Sequence, residues 1–304
     1  MNEIKKWQNH TGPILDSVGG FDVIECEVCG FVHVIPLRDE QQHAEFYEEE
    51  FYQGKENYIK NHTQDLEWWS IEHNEKYDLF DRKLAERSSR RILDIGSGVG
   101  YFLKVGKDRG WDATGIEPGK LAYLFSTEEL GLNIFNGLFS SKNYKEFGKF
   151  DVIHMNNVLE HIPEPQQFLM FAYEILETAG LICVTVPNDY NPLQGIVVTY
   201  LKKDPWYVVP KEHVNYFDSK SLSRVMDGVG FKTIYSTSSF PLELFLLMGE
   251  DYIGNSRIGR KIHGKRKAFD LAMEKSGNTN LKRKIYNKLS EIGIGRSITV
   301  IGKK

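Results

Sequence analysis

The segment RILDIGSGVGYF, Arg91 to Phe102, runs apolar and β-branched into three alternating glycines and then back into large apolar residues. Gly96, Gly98 and Gly100, followed by the stripe Tyr101, Phe102, Leu103 and Val105, predict a buried strand, a tight turn and the start of a helix. A turn bare of side chains lets a ligand approach main-chain amides and the unpaired N–H groups of a helix N-terminus. The spacing is D-x-G-x-G-x-G, Asp94 to Gly100. A dinucleotide fingerprint, G-x-G-x-x-G, would need glycine where Tyr101 stands. Glu117 closes the next apolar run, ATGIEP, and a carboxylate at that point can accept both hydroxyls of a ribose.

From Arg91 onward, short apolar runs alternate with segments of helical period, the pattern of βαβ units and an α/β fold with a parallel sheet. Strands are predicted at Arg91–Ile95, Ala113–Glu117, Asn133–Asn136, Asp151–Met155, Leu181–Val186, Phe231–Ser236 and Ser297–Ile301. Helices are predicted after Gly100, after Gly119, from Pro165 to Thr178, and from Asp218 to Gly228, with Asp218 or Ser219 as N-cap of the last. Residues 1–80 carry a hairpin-like FDVIECEVCGFVHVIP and then an acidic, aromatic stretch, a small N-terminal knuckle and cap; residues 81–241 form the core. Residues 242–294, helical and basic, read as an insert over the acceptor site, and residues 295–304 as a strand returning to the core. A net charge of −4 provides no field to gather nucleic acid or an anionic membrane surface. Three cysteines, no charged-then-apolar leader and no apolar run of spanning length predict a cytoplasmic protein without a membrane span.

The blocks LDIGSGVGYFL, GIEPG, FDVIHMNNVLEHIPEP and GLICVTVPN, in this order, resemble the class I S-adenosylmethionine-dependent methyltransferases over roughly Arg91 to Phe240. The resemblance implies a Rossmann-like, seven-stranded, mostly parallel sheet with helices on both faces and an antiparallel last strand, and S-adenosylmethionine as cofactor. It implies that Gly96, Ser97 and Gly98 cradle the methionine part of the cofactor, and that Glu117, with Pro118 beside it, holds the ribose hydroxyls. Asp94 would organise the turn and orient the cofactor's amino group. Asn136 and Gly137 match the position facing the adenine, and Asn156, with Asn157, ends the fourth strand near the methionyl group. In this family type the N-terminal segment folds over the cofactor, so Tyr52 or Tyr58 would reach its carboxylate. A looser resemblance, carried by CEVCGF, FYEEEFY and EHVNYFDSKSL, is to bacterial methyltransferases of sugar and cell-surface polysaccharide pathways. It implies a small-molecule or sugar-type acceptor, with O-methylation favoured over C- or N-methylation. An NAD-dependent reductase and a non-catalytic cofactor-binding or assembly protein are the alternatives.

Methyl transfer to a hydroxyl needs a base for the departing proton. His213, in KEHVNYF, is the first candidate and His161, in NNVLEHIPEP, the second, each against the plainer reading of a histidine that fixes its loop. Cys26 and Cys29 form a C-x-x-C-G knuckle of the zinc-gripping type, with His33 four residues on and His10 or His43 available. A structural zinc takes four ligands and one knuckle supplies two, so the expectation is a metal-free hairpin.

Overall fold

The computed structural model describes residues 9–37 and 58–304. The described strands are β1 (Ile14–Val18), β2 (Phe21–Glu25), β3 (Val32–Ile35), β4 (Arg91–Ile95), β5 (Asp112–Glu117), β6 (Asn133–Asn136), β7 (Phe150–Asn156), β8 (Leu176–Pro187), β9 (Asn215–Tyr216), β10 (Lys232–Ser238) and β11 (Ser297–Lys303). The helices are α1 (Tyr58–Gln64), α2 (Leu66–Lys83), α3 (Tyr101–Asp108), α4 (Lys120–Leu124), α5 (Pro165–Ile175), α6 (Pro192–Tyr200), α7 (Ser219–Val229), α8 (Glu243–Leu247), α9 (Ser256–Lys275) and α10 (Thr279–Glu291).

A seven-stranded sheet in the order β10-β11-β8-β7-β4-β5-β6 forms the centre. Strands β4, β5, β6, β7 and β8 run parallel, and β11 is antiparallel to both of its neighbours, the Rossmann-like arrangement the resemblance implied. The central strands are apolar almost throughout because both faces are covered. On one face Leu93, Ile153, Ile182 and Val184 pack with Leu169 of α5 and Met226 of α7. On the other, Ile92, Val152, Leu181 and Cys183 pack with Tyr77 and Phe80 of α2 and with Phe102 and Leu103 of α3. Asp218 caps α7 by accepting the Ser221 amide at 2.7 Å. The helix predicted to Thr178 stops at Ile175, because Leu176 is fully buried and pairs with Phe150 as the first residue of β8.

A four-stranded antiparallel sheet, β1-β2-β3-β9, lies at the N-terminal side. Its hairpin was visible in the sequence. Its fourth strand was not, since β9 comes from far along the chain and pairs only at Val32↔Tyr216 and His33↔Asn215.

The segment between β10 and β11 carries α8, α9 and α10. Its two long helices pack on β10 and α2. The Trp68 indole on α2 donates to Asp270 Oδ2 on α9 at 2.8 Å, the Arg266 guanidinium sits 4.4 Å over the Trp68 ring, and Tyr235 of β10 donates to Asn287 of α10 at 2.9 Å. At the carboxyl edge, Gln194 Nε2 of α6 donates to Glu243 Oε1 of α8 at 3.3 Å, and Phe269 of α9 packs against Phe240, just after β10, at 5.5 Å. Among the described residues, no helix is long and apolar enough to cross a membrane.

Candidate active site

The glycine turn leaves the carboxyl end of β4 and is fastened to β5: the amides of Gly96 and Ser97 donate to the Ile116 carbonyl at 2.8 and 3.0 Å. Gly96 has φ +74°, and a Cβ there would meet Val158 Cγ2 at 2.6 Å, so only glycine fits. The buried Glu117 carboxylate joins two turns, accepting the Gly98 amide on Oε2 and the Gly119 amide on Oε1, both at 2.7 Å, with Pro118 between. The Ser97 hydroxyl is buried with no hydrogen-bond partner among the described residues. A buried orphan hydroxyl beside a side-chain-free turn and an acceptor carboxylate fits a ligand with polar groups at one end and a ribose in the middle, such as S-adenosylmethionine.

Asp94 is directed into the sheet beneath this turn. Its Oδ1 accepts from His154 Nδ1 at 2.7 Å, and Lys76 of α2 donates to His154 Nε2 at 3.3 Å. Burial, helped by the Lys76 ammonium, holds His154 well below the usual histidine range, so the ring is neutral and Nδ1–H is the donor to Asp94. Phe102 of α3 stacks on the same imidazole at 3.8 Å between centroids. Asn136 ends β6 opposite Glu117 in register, and its Nδ2 donates to the carbonyls of Glu117 and Pro118 at 2.8 and 3.2 Å. The Gly137 amide also donates to the Glu117 carbonyl, at 3.2 Å. Asn156 ends β7, and Asn157 follows at φ +55° with its amide on the Thr185 carbonyl at 2.9 Å. Tyr58 opens α1, and Tyr52 lies outside the described residues.

The two candidate histidines come together. His161, in a short 3-10 turn after β7, and His213, just before β9, lie edge to face with centroids 5.0 Å apart. His161 donates from Nδ1 to the Glu212 carbonyl at 2.8 Å, which fixes its ring. His213 Nδ1 stands 3.8 Å from Asp189 Oδ2, and Asp189 Oδ1 accepts from Arg296 at 2.8 Å and Gln194 at 3.1 Å. Burial would raise the Asp189 carboxyl, but His213, Arg296 and Gln194 together hold it below the usual range. Glu160 is buried, with neither oxygen hydrogen-bonded among the described residues and Oε1 3.7 Å from His161 Nε2. Burial pushes its carboxyl up to about 7 despite His213.

Sequence reasoning missed Asp189, Arg296 and the acid–base character of Glu160. Asp189 had a signal, an acid directly after the β8 run in VPNDY. Arg296 comes from the far end of the chain and had none.

The methyltransferase domain family matches residues 68–236. A ubiquinone biosynthesis O-methyltransferase of Nitrosococcus oceani is 31% identical over 135 residues, 40% of this chain and 57% of the relative. The match to that relative thus spans somewhat over half of its length. One from Escherichia coli (strain SMS-3-5 / SECEC) is 25% identical over 224 residues, 62% of this chain and 92% of the relative. Among solved structures, the plantazolicin methyltransferase BamL, crystallised with S-adenosylhomocysteine (SAH) and a desmethyl-plantazolicin analogue, aligns with a TM-score of 0.52 at 13% identity, over 86% of this chain and 94% of that one, a likeness of fold.

Proposed function

The chain belongs to the methyltransferase domain family, with S-adenosylmethionine as its cofactor, and from that premise we propose that the whole protein methylates a hydroxyl of a small acceptor. The observation that carries the reading is the His213–Asp189 pair beside His161 at the carboxyl edge of the sheet, where ligands bind in open α/β folds. Gly96, Ser97, Gly98 and Glu117 hold the cofactor, with Asn136 and Gly137 toward the adenine and Asp94 bracing the turn from below. Bound there, the cofactor supplies a sulfonium methyl for in-line displacement, leaving a neutral thioether. The Asp189 carboxylate faces His213 Nδ1 and orients the ring, which leaves Nε2 to take the acceptor's proton. His161, fixed by Glu212, binds the acceptor.

Oxygen as the acceptor atom is supported by relatives named as O-methyltransferases. A sugar-type acceptor is supported by the flanking sequence blocks alone, so the two classes form the arms of one test. Purified full-length protein is assayed for S-adenosylhomocysteine release with hydroxylated aromatics and with nucleotide sugars. One arm should turn over, and in it His213→Ala should lower the single-turnover rate at least about a hundredfold while cofactor affinity stays within a few-fold. Normal turnover by that variant, or transfer only to carbon acids or amines, would overturn the reading.

A further inference from the structure

The turn between β2 and β3 presents two thiols, and two imidazoles from different parts of the chain converge on them. Cys26 follows β2, and the Cys29 amide donates to Cys26 Sγ at 3.4 Å. The Gly30 amide closes the turn onto the Cys26 carbonyl at 2.9 Å, with Gly30 at φ +73°. His33 enters from within β3, and His10 arrives from the segment before β1. One ligand atom from each of the four residues lies within 4.8 Å of the others.

The three separations from His10 Nδ1 lie near those of a tetrahedron's edges. Zinc held by sulfur at about 2.3 Å and nitrogen at about 2.0–2.1 Å requires roughly 3.3 Å between nitrogens, 3.6 Å from nitrogen to sulfur and 3.8 Å between sulfurs. His10 Nδ1 lies 3.0 Å from His33 Nε2, 3.3 Å from Cys29 Sγ and 3.7 Å from Cys26 Sγ. His33 donates from Nδ1 to the Val34 carbonyl at 3.0 Å, which sets the tautomer and points the Nε2 lone pair at the other three residues. Phe31 packs edge-on against His33 at 5.8 Å, and both Cys26 and His33 are buried.

We propose that His10, Cys26, Cys29 and His33 bind a zinc ion as a closed structural site, in place of the metal-free hairpin read from the sequence. The knuckle alone supplied only two of the four ligands. The pairing of β1, β2 and β3 brings in His10, sixteen positions before Cys26. The site braces the acceptor side. His33 pairs with Asn215 of β9, the Val34 amide donates to the Val214 carbonyl at 2.9 Å, and the Val214 amide donates to the Glu160 carbonyl at 2.9 Å. His213 and Glu160 are thereby hung from the strand that holds the metal.

The test needs no activity measurement, so its failure is separate from failure of the proposed reaction. Full-length protein purified without chelator should contain about one zinc per chain by elemental analysis, released by a thiol-specific mercurial. The paired variant Cys26→Ser with Cys29→Ser, and His10→Ala alone, should lose it. Should those variants not fold, exchange of cobalt into the unmutated protein should give thiolate-to-metal charge-transfer bands and the intense visible absorption of tetrahedral cobalt. The proposal is overturned by metal content near zero after refolding with zinc, by full retention in the double cysteine variant, by octahedral cobalt spectra, or by a Cys26–Cys29 disulfide in the native protein.

Discussion

Glu160 shows how one buried group links stability to the candidate chemistry. Its carboxyl has no hydrogen bond among the described residues and lies beside His161. Burial raises its folded pKa from an ordinary 4.5 to about 7. The folded state therefore holds the proton more tightly than the unfolded chain. The resulting contribution is fully present below about pH 4.5 and is lost as pH rises to about 7. The upper limit of that loss is about 3 kcal/mol, since one pKa unit corresponds to about 1.4 kcal/mol. Glu160→Gln keeps the shape without the titration. Denaturant unfolding at a series of pH values should show wild type losing stability relative to the variant across that window, with a constant difference above it; a difference that is flat throughout would remove Glu160 from this role. In the sequence Glu160 was legible only as the neighbour of His161, because burial arises from β9 and the strand it pairs with, which no local pattern announces.

Among elements, the glycine turn was the most legible and is the least tolerant. Gly100 stands at φ +80° as the N-cap of α3, and a Cβ there would meet Leu132 Cδ1 at 2.6 Å and Ser126 Cβ at 2.9 Å. Gly110, at φ +85°, has nothing within 4 Å of a Cβ. The two positions separate backbone strain from collision. Gly110→Ala should cost about 1 kcal/mol from its left-handed backbone alone, and Gly100→Ala about 2–4 kcal/mol because overpacking adds to the strain. Gly100→Ala should also weaken S-adenosylhomocysteine binding in calorimetry, since it shifts the start of α3; equal stability losses in the two variants would refute the collision. The inner strands β4 and β7 of the central sheet were readable for the same reason the turn was: covered on both faces, they are apolar almost throughout and end in turn residues. The two-residue β9 has no such signature, and neither does the point where α5 becomes β8.

At the scale of the molecule, the C-terminal helices are held to the core through α2 and β10, and Asp270 is one of the carboxylates that anchor them. Asp270 of α9 accepts from the Trp68 indole at 2.8 Å and from the Tyr286 hydroxyl of α10, while Arg266 lies over the Trp68 ring. Lys282 of α10 adds an ion pair with Glu75 of α2 at 3.1 Å. The other side of α2 carries Lys76 into the sheet, where it donates to His154 and to Thr185. One helix therefore connects the inserted segment to the interior beneath the glycine turn. The sequence showed the segment as helical and basic, but its docking depends on Trp68 meeting Asp270 across 202 positions, a pairing invisible to any local period. Asp270→Ala would leave two buried donors unpaired, each worth about 1–3 kcal/mol, so a loss of about 2–6 kcal/mol is expected. Hydrogen exchange should rise along Leu66–Lys83, Ser256–Lys275 and Thr279–Glu291 while β4 and β7 stay protected, because their hydrogen bonds and both covering faces persist. Cofactor affinity should change by no more than a few-fold, since the turn is fastened independently by Ile116 and Glu117. Unchanged exchange in the three helices would mean that Glu75 and its partners hold the segment without Asp270. A large loss of cofactor affinity with intact exchange would mean instead that α2 transmits the change through Lys76 and His154 to Asp94.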